Sequence, residues 1–176
     1  ANEAAKRELL PRMASAEDVW CQLFSEPGAG SDVAGLRTRA ERDGDNWKIN
    51  GQKIWTSGAQ YSDYGVVLTR TDPTVSKYRG LTLFMIDMRQ SGVEVCPIKQ
   101  MDGGTHFNEV FFHDALVPDN YRLGDVGGGA ALIDVELLPA LVDRAFDLDA
   151  GHLGGVGVDR HFGLGRSLVF GRRNNI

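Results

Sequence analysis

Cysteine is scarce in this chain: Cys21 and Cys96 are the two among 176 residues, and they share no C-x-x-C spacing. At most one bridge can form, which excludes a disulfide-stapled framework and points to reduced thiols in a cytoplasmic protein. Histidine is sparse too. His106, His113, His152 and His161 have no ligand-like spacing with one another or with cysteine, so no metal site is expected. Long apolar runs are missing, as is a charged-then-apolar leader at the start, so neither a membrane span nor a signal segment is expected. Positive charge is in deficit. The formal net charge is −5 and no basic run exceeds Gly171-Arg172-Arg173, which argues against nucleic acid as a partner. An initiator methionine is also absent, the expectation being a trimmed or excised chain. What is present is ordinary for a soluble globular protein, 42% hydrophobic and 24% charged, and long enough for one full core plus part of a second domain.

The most informative stretch runs from Val19 to Ser31, VWCQLFSEPGAGS. An apolar strand stops at Glu26-Pro27 and opens into a loop in which Gly28 and Gly30 lack Cβ atoms, so the backbone can turn tightly and an anionic ligand can approach its N–H groups. Ser25 and Ser31 put hydroxyl donors at its two ends. A second stretch, Lys53-Ile54-Trp55-Thr56-Ser57, offers an indole followed by two more hydroxyls. Together these make a seat for a dinucleotide, although neither common phosphate loop is present. Val33 stands where G-x-G-x-x-G needs its last glycine, and Leu36-Arg37 follow Gly35 where a P-loop needs Lys-Ser/Thr. A plain Gly-Pro-Ser turn joining two strands fits the same residues, and core packing fits Trp55.

Taken in order, Ala1–Met13 contains the helix-forming run AAKRELL, which Pro11 should end or turn. From Leu36 the period becomes two: Leu36, Thr38 and Ala40 alternate with Arg37, Arg39 and Glu41, a strand whose arginines form its wet face. Asp43-Gly44-Asp45-Asn46 predicts a hairpin turn, Trp47-Lys48-Ile49 the return strand, and Asn50-Gly51 a second turn. Further strands are expected at Tyr64–Arg70, Leu81–Met88, Val93–Ile98 and Asn108–His113. Asp72, Asp87, Asp102 and Asp114 fall at turns or strand ends and read as turn chemistry. About eight short strands without long helices between them predict a mainly β fold, an antiparallel barrel or orthogonal sandwich with short helical flanks. After Gly127-Gly128-Gly129, Ile133, Leu137, Leu138, Leu141, Val142, Ala145 and Phe146 suggest a helix with Pro139 inside it, and six glycines in Gly151–Gly165 resist regular structure.

Three separated motifs carry a family likeness. Ser25-Glu26-Pro27-Gly28-Ala29-Gly30-Ser31-Asp32 comes first, then Asn50-Gly51-Gln52-Lys53-Ile54-Trp55-Thr56-Ser57, then Phe112, Asp114, Val117-Pro118, Asn120 and Leu123-Gly124. In this order they resemble the middle domain of the acyl-CoA dehydrogenases, from roughly Glu3 to Gly129. The resemblance implies a remnant of an N-terminal helical domain at 1–14, the middle β domain at 15–126, and a divergent or truncated region at 127–176. It implies FAD as cofactor, with Gln22, Leu23, Phe24 and Ser25 along the flavin, Gly30 and Ser31 near the pyrophosphate, Trp55 and Thr56 beside the ring, and Ser57 at the nitrogen that accepts hydride. It implies that Ser31 also faces the thioester of an acyl-CoA substrate, with α,β-dehydrogenation as the reaction. The implied partners are an electron-transferring flavoprotein as acceptor and further copies in a homo-oligomer. The family's glutamate base is not recognisable: Glu136 lies about one turn early, and Ala140 occupies the expected position. A non-catalytic fragment, an interaction barrel, and an oxidase or monooxygenase relative are the alternatives.

Overall fold

A computed structural model of the chain describes residues 3–129. The helix α1 (Glu3–Ala14) is followed by eight strands: β1 (Trp20–Leu23), β2 (Arg39–Asp43), β3 (Asn46–Ser57), β4 (Tyr64–Arg70), β5 (Leu81–Asp87), β6 (Val93–Pro97), β7 (Phe107–Pro118) and β8 (Arg122–Leu123). They form one sheet in the order β6-β7-β3-β2-β4-β5-β8, with β1 added beside β4. The mainly β architecture of about eight strands is therefore as expected, and the sheet is not closed. Most pairings are antiparallel, but β1 runs parallel to β4, and β2 meets β4 in parallel at Arg39 and Arg70.

Several elements depart from the sequence reading. Pro11 does not end α1, which continues to Ala14 with the proline inside it. The strand expected from Leu36 begins at Arg39, because the peptide N–H groups of Arg37 and Thr38 are taken by the Glu26 carboxylate at 2.6 and 2.9 Å rather than by a neighbouring strand. Asn50-Gly51 makes no turn. It lies within the continuous strand β3, and the Asn50 side chain exchanges two hydrogen bonds with Asp114 across the sheet, at 2.8 and 2.9 Å. Asp72, Asp87 and Asp102 do make local turns, each accepting the N–H two residues on. The helix expected after Gly129, with Glu136, and the glycine-rich segment lie outside the described residues.

The principal core gathers Trp47, Ile49, Val67, Phe84, Ile86, Val110 and Phe112 from four strands. Strand β5 is buried over six consecutive residues because both of its faces are covered. Phe84 and Ile86 enter the principal core, whereas Met85 packs against Ala5 and Leu9 of α1 together with Trp20. Both thiols are free, and burial pushes the Cys21 thiol up to about 11, partly offset by Ser62.

Asp119 ties the β2–β3 hairpin to the end of β7. Its Oδ1 accepts from Arg42 and from the buried Trp47 indole at 2.7 Å each, and from Arg122 at 3.1 Å. Chiefly through Arg122 and Trp47, the carboxyl is held down at about 2. Asp119→Ala should cost about 1–3 kcal/mol, since it strands a buried indole N–H. With the folded value below the unfolded one, this contribution is present above pH about 4 and lost as pH falls toward 2. Urea denaturation of both proteins at pH 7 and pH 2.5 checks it: an equal gap at the two pH values would contradict the assignment.

Candidate functional site

The site is built where the glycine loop meets the end of β3, and a pair of β-bulges makes the meeting possible. Between Ile49–Ala115 and Gly51–Phe112, β7 carries one extra residue; between Lys53–Val110 and Thr56–Asn108, β3 carries one extra. Each bulge contains a non-glycine residue with positive φ, Asp114 at 50° and Trp55 at 62°. The second bulge changes which side chains face in. Lys53 and Thr56 are both buried, three apart instead of two, while between them Ile54 is half-buried and Trp55 exposed. Trp55 is 56% exposed, with its ring edge-on to Phe107 at 6.2 Å, so the indole is no core residue.

The bulge also frees the Ile54 N–H from the β3–β7 ladder, and it donates to the Ser25 carbonyl at 2.9 Å. Beside it, the Lys53 ammonium donates to the Phe24 carbonyl at 3.1 Å and to Glu26 Oε1 at 2.9 Å. Two consecutive residues of β3 are thereby fastened to three consecutive residues of the loop. Glu26 and Ala29 then exchange backbone hydrogen bonds at 3.0 and 3.1 Å, closing a tight turn with Pro27 and Gly28 at its corners. Neither Gly28 nor Gly30 has positive φ, and a Cβ on either would meet nothing within 4 Å. The turn therefore does not need its glycines for conformation or for packing against the described residues. They leave open space outside the loop.

Burial pulls the Lys53 ammonium down to about 8 against the opposing pull of Glu26. Burial pushes Glu26 up, but Lys53, Thr38 and the Arg37 N–H outweigh it and leave the carboxyl below its ordinary range. Sequence reasoning passed over this pair, treating Glu26 as a strand stop and Lys53 as part of a motif. The signal was available in Lys53 itself, which takes an inward position on an alternating strand, where a lone lysine requires a partner.

The remaining expected site residues divide by accessibility. Leu23 is enclosed in the principal core, Gln22 and Phe24 are half-buried, and Thr56 is buried with its Oγ1 unpartnered among the described residues. Ser25 and Ser57 are half-buried, and Gly30 and Ser31 exposed. The hydroxyls of Ser25, Ser31 and Ser57 make no hydrogen bond among the described residues, nor do the N–H groups of Gly28, Gly30 and Ser31. The structure thus joins Phe24–Ala29 to Lys53–Ile54 directly and leaves the outer donors free. A hollow of about 660 Å³, lined by Asp45, Asn46, Asp119 and Arg122, lies at the opposite end of β3 and includes none of these residues. Among the described residues no cluster of His, Cys, Asp or Glu is arranged to hold a metal ion.

Trp55 carries backbone strain, since φ of 62° is unfavourable for a residue with a Cβ. Trp55→Gly should therefore be more stable than Trp55→Ala by roughly 1 kcal/mol, reversing the usual strand order of the two residues. Paired urea denaturations decide this, and alanine proving the more stable would contradict it.

Comparison with known proteins follows the same residues. The family model for the acyl-CoA dehydrogenase middle domain matches residues 21–115. The chain is 48% identical over 120 residues to acyl-CoA dehydrogenase FadE34 of Mycobacterium tuberculosis, covering 68% of this chain and 17% of that protein. It is 46% identical over 124 residues to acyl-CoA dehydrogenase IpdE1 of the same organism, covering 70% of this chain and 32% of the other. Among solved structures, the Tcur3481-Tcur3483 steroid ACAD superimposes with a TM-score of 0.73 at 32% identity, over 83% of this chain and 42% of that one. The chain thus matches less than half the length of each of these relatives. The family-model match over residues 21–115, more than half of the chain, places this chain in the acyl-CoA dehydrogenase family, and those residues match its middle domain.

Proposed function

We propose that this chain is the flavin-seating part of an FAD-dependent acyl-CoA dehydrogenase acting on an acyl-CoA thioester. The observation that carries the reading is the direct bond between the Ser25 carbonyl and the Ile54 N–H. It fastens the start of the glycine loop to the residue before Trp55, which supports one shared site for the two segments. The residues fit the cofactor: open space beside Gly28 and Gly30 admits a pyrophosphate, and the free Ser31 hydroxyl and loop N–H groups supply donors. Trp55 offers an exposed indole to pack beside a flavin, and Ser57 a free hydroxyl for a ring nitrogen. Gln22 and Leu23 at the end of β1, and Phe24 just beyond it, would support this wall together with the buried Thr56.

FAD, when bound, supplies the two-electron chemistry of α,β-dehydrogenation. The chain's own part is to bind it, orient it, and present Ser31 toward the thioester. Proton abstraction needs a free carboxylate within reach of the substrate. Glu26, the loop's own carboxylate, is buried and engaged by three donors, so it does not serve. The base belongs to the part of the enzyme beyond the described residues, where Glu136 is the candidate within this chain. An electron-transferring flavoprotein as acceptor and assembly with further subunits complete the proposal. A solved relative at 35% identity is the ChsE4-ChsE5 complex from Mycobacterium tuberculosis, which makes a different subunit an alternative to a second copy.

Titration of the purified chain with FAD tests the reading, following flavin absorbance and tryptophan fluorescence. Saturable binding with a shifted flavin spectrum is expected; a colourless protein indifferent to FAD overturns it. Turnover with straight-chain and steroid-derived acyl-CoA thioesters and an artificial electron acceptor then assigns the substrate.

A further inference from the structure

The buried ion pair between Lys53 and Glu26 has no part in the chemistry proposed above. Lys53 is completely buried and Glu26 is 8% exposed, yet neither touches the open side of the loop. Stability alone is a poor reason for such a pair, since two well-packed apolar side chains of similar volume commonly serve a core as well or better. Its geometry suggests a different reason. Lys53 donates to Phe24 and Glu26, and the next residue, Ile54, donates to Ser25, so the loop's first three residues are held in register with β3. Glu26 also receives the N–H groups of Arg37 and Thr38, which close the far end of the same loop. One carboxylate therefore gathers both ends of the segment that carries Gly28, Gly30 and Ser31, and one ammonium fixes that carboxylate to the strand that carries Trp55 and Ser57.

We infer that Lys53 and Glu26 are positioning residues, a buried clamp that sets the distance between the glycine loop and the bulged end of β3 and so the affinity for FAD. This rests on the flavin reading, but the clamp is measurable without the cofactor. The informative variant is the double substitution Lys53→Met with Glu26→Gln, compared with Lys53→Met alone. The single change leaves a buried carboxylate without its counter-ion; the double change removes both charges and should recover most of the lost stability in urea denaturation. If the pair only stabilises the fold, function returns with stability. If it positions the loop, the double variant still binds FAD at least about tenfold more weakly than wild type, as misplacement of binding groups predicts. Its Ile54 amide should also exchange hydrogen at least about tenfold faster, while amides of the β4–β5 ladder keep their wild-type protection. Wild-type FAD affinity and wild-type Ile54 protection in the double variant overturn the inference. Should the wild type bind no FAD while Ile54 protection is selectively lost in the variant, the flavin reading fails and the clamp stands. Where the double variant does not fold, Glu26→Asp, which keeps the counter-ion for Lys53 but draws the carboxylate back by one methylene, is judged by the same two readouts.

Discussion

Alanine at Gly51 should cost the chain roughly 2–4 kcal/mol of stability, whereas alanine at Gly28 or Gly30 should change it by less than about 0.5 kcal/mol. All three glycines belong to the family motifs, and the sequence treats them alike. The structure separates them. Gly51 has φ of 145°, and a Cβ there would lie 2.6 Å from the Thr38 Cα, a backbone atom that can move only with its strand. Thr38 is doubly held at that point, since its Oγ1 also meets the Gln52 peptide at 3.2 Å. Nothing comparable surrounds the other two. A methyl group at Gly28 or Gly30 should instead reduce FAD affinity, because it fills the space the loop leaves on its ligand side. Urea denaturation and FAD titration of the three variants read the two effects separately. Loss of stability at Gly28 matching that at Gly51 would mean the loop glycines serve the fold and not a ligand.

Glu26→Ala should be the more damaging single change, at about 3–5 kcal/mol near pH 7. It leaves the Lys53 ammonium fully buried without its counter-ion and removes the acceptor for two peptide N–H groups. The effect is linked to pH with a definite sign. The Glu26 carboxyl titrates below 4.5 in the folded chain, so its contribution is present above that value and lost as pH falls beneath it. The stability difference between wild type and variant should therefore shrink on acidification below pH about 4.5. Parallel denaturations at pH 7, 5 and 3.5 measure this. A gap that stays constant or widens in acid would show that the carboxylate form is not what the fold uses.

Much of the fold is legible in composition and periodicity. Tyr64–Arg70 is read to the residue, and Leu81–Met88 and Val93–Ile98 to within one residue at one end, because their apolar runs are bounded by turn chemistry at Asp72-Pro73, Arg79-Gly80 and Ser91-Gly92. The errors have a common origin. Asn50-Gly51 carries the strongest short-range turn signal in the chain, yet its amide is spent on the Asp114 bulge across the sheet. Strand β7 extends well past His113, to Pro118, because that bulge at Asp114 lets the strand bend and keep its pairing. The start of β2 is delayed because a carboxylate twelve residues upstream takes the Thr38 N–H. Local rules assign backbone groups to local partners, and in each case a distant partner took the group.

The sequence by itself determined that this chain is a mainly β domain of the acyl-CoA dehydrogenase family and which two segments bear its donors, since hydrophobic period, turn residues and motif order are local properties. Tertiary structure alone decided how those segments meet. One extra residue in β3 and not in β7 turns Trp55 out, turns Lys53 and Thr56 in, and releases the Ile54 N–H toward Ser25. Pairing register is a relation between strands, so no single stretch of residues encodes it.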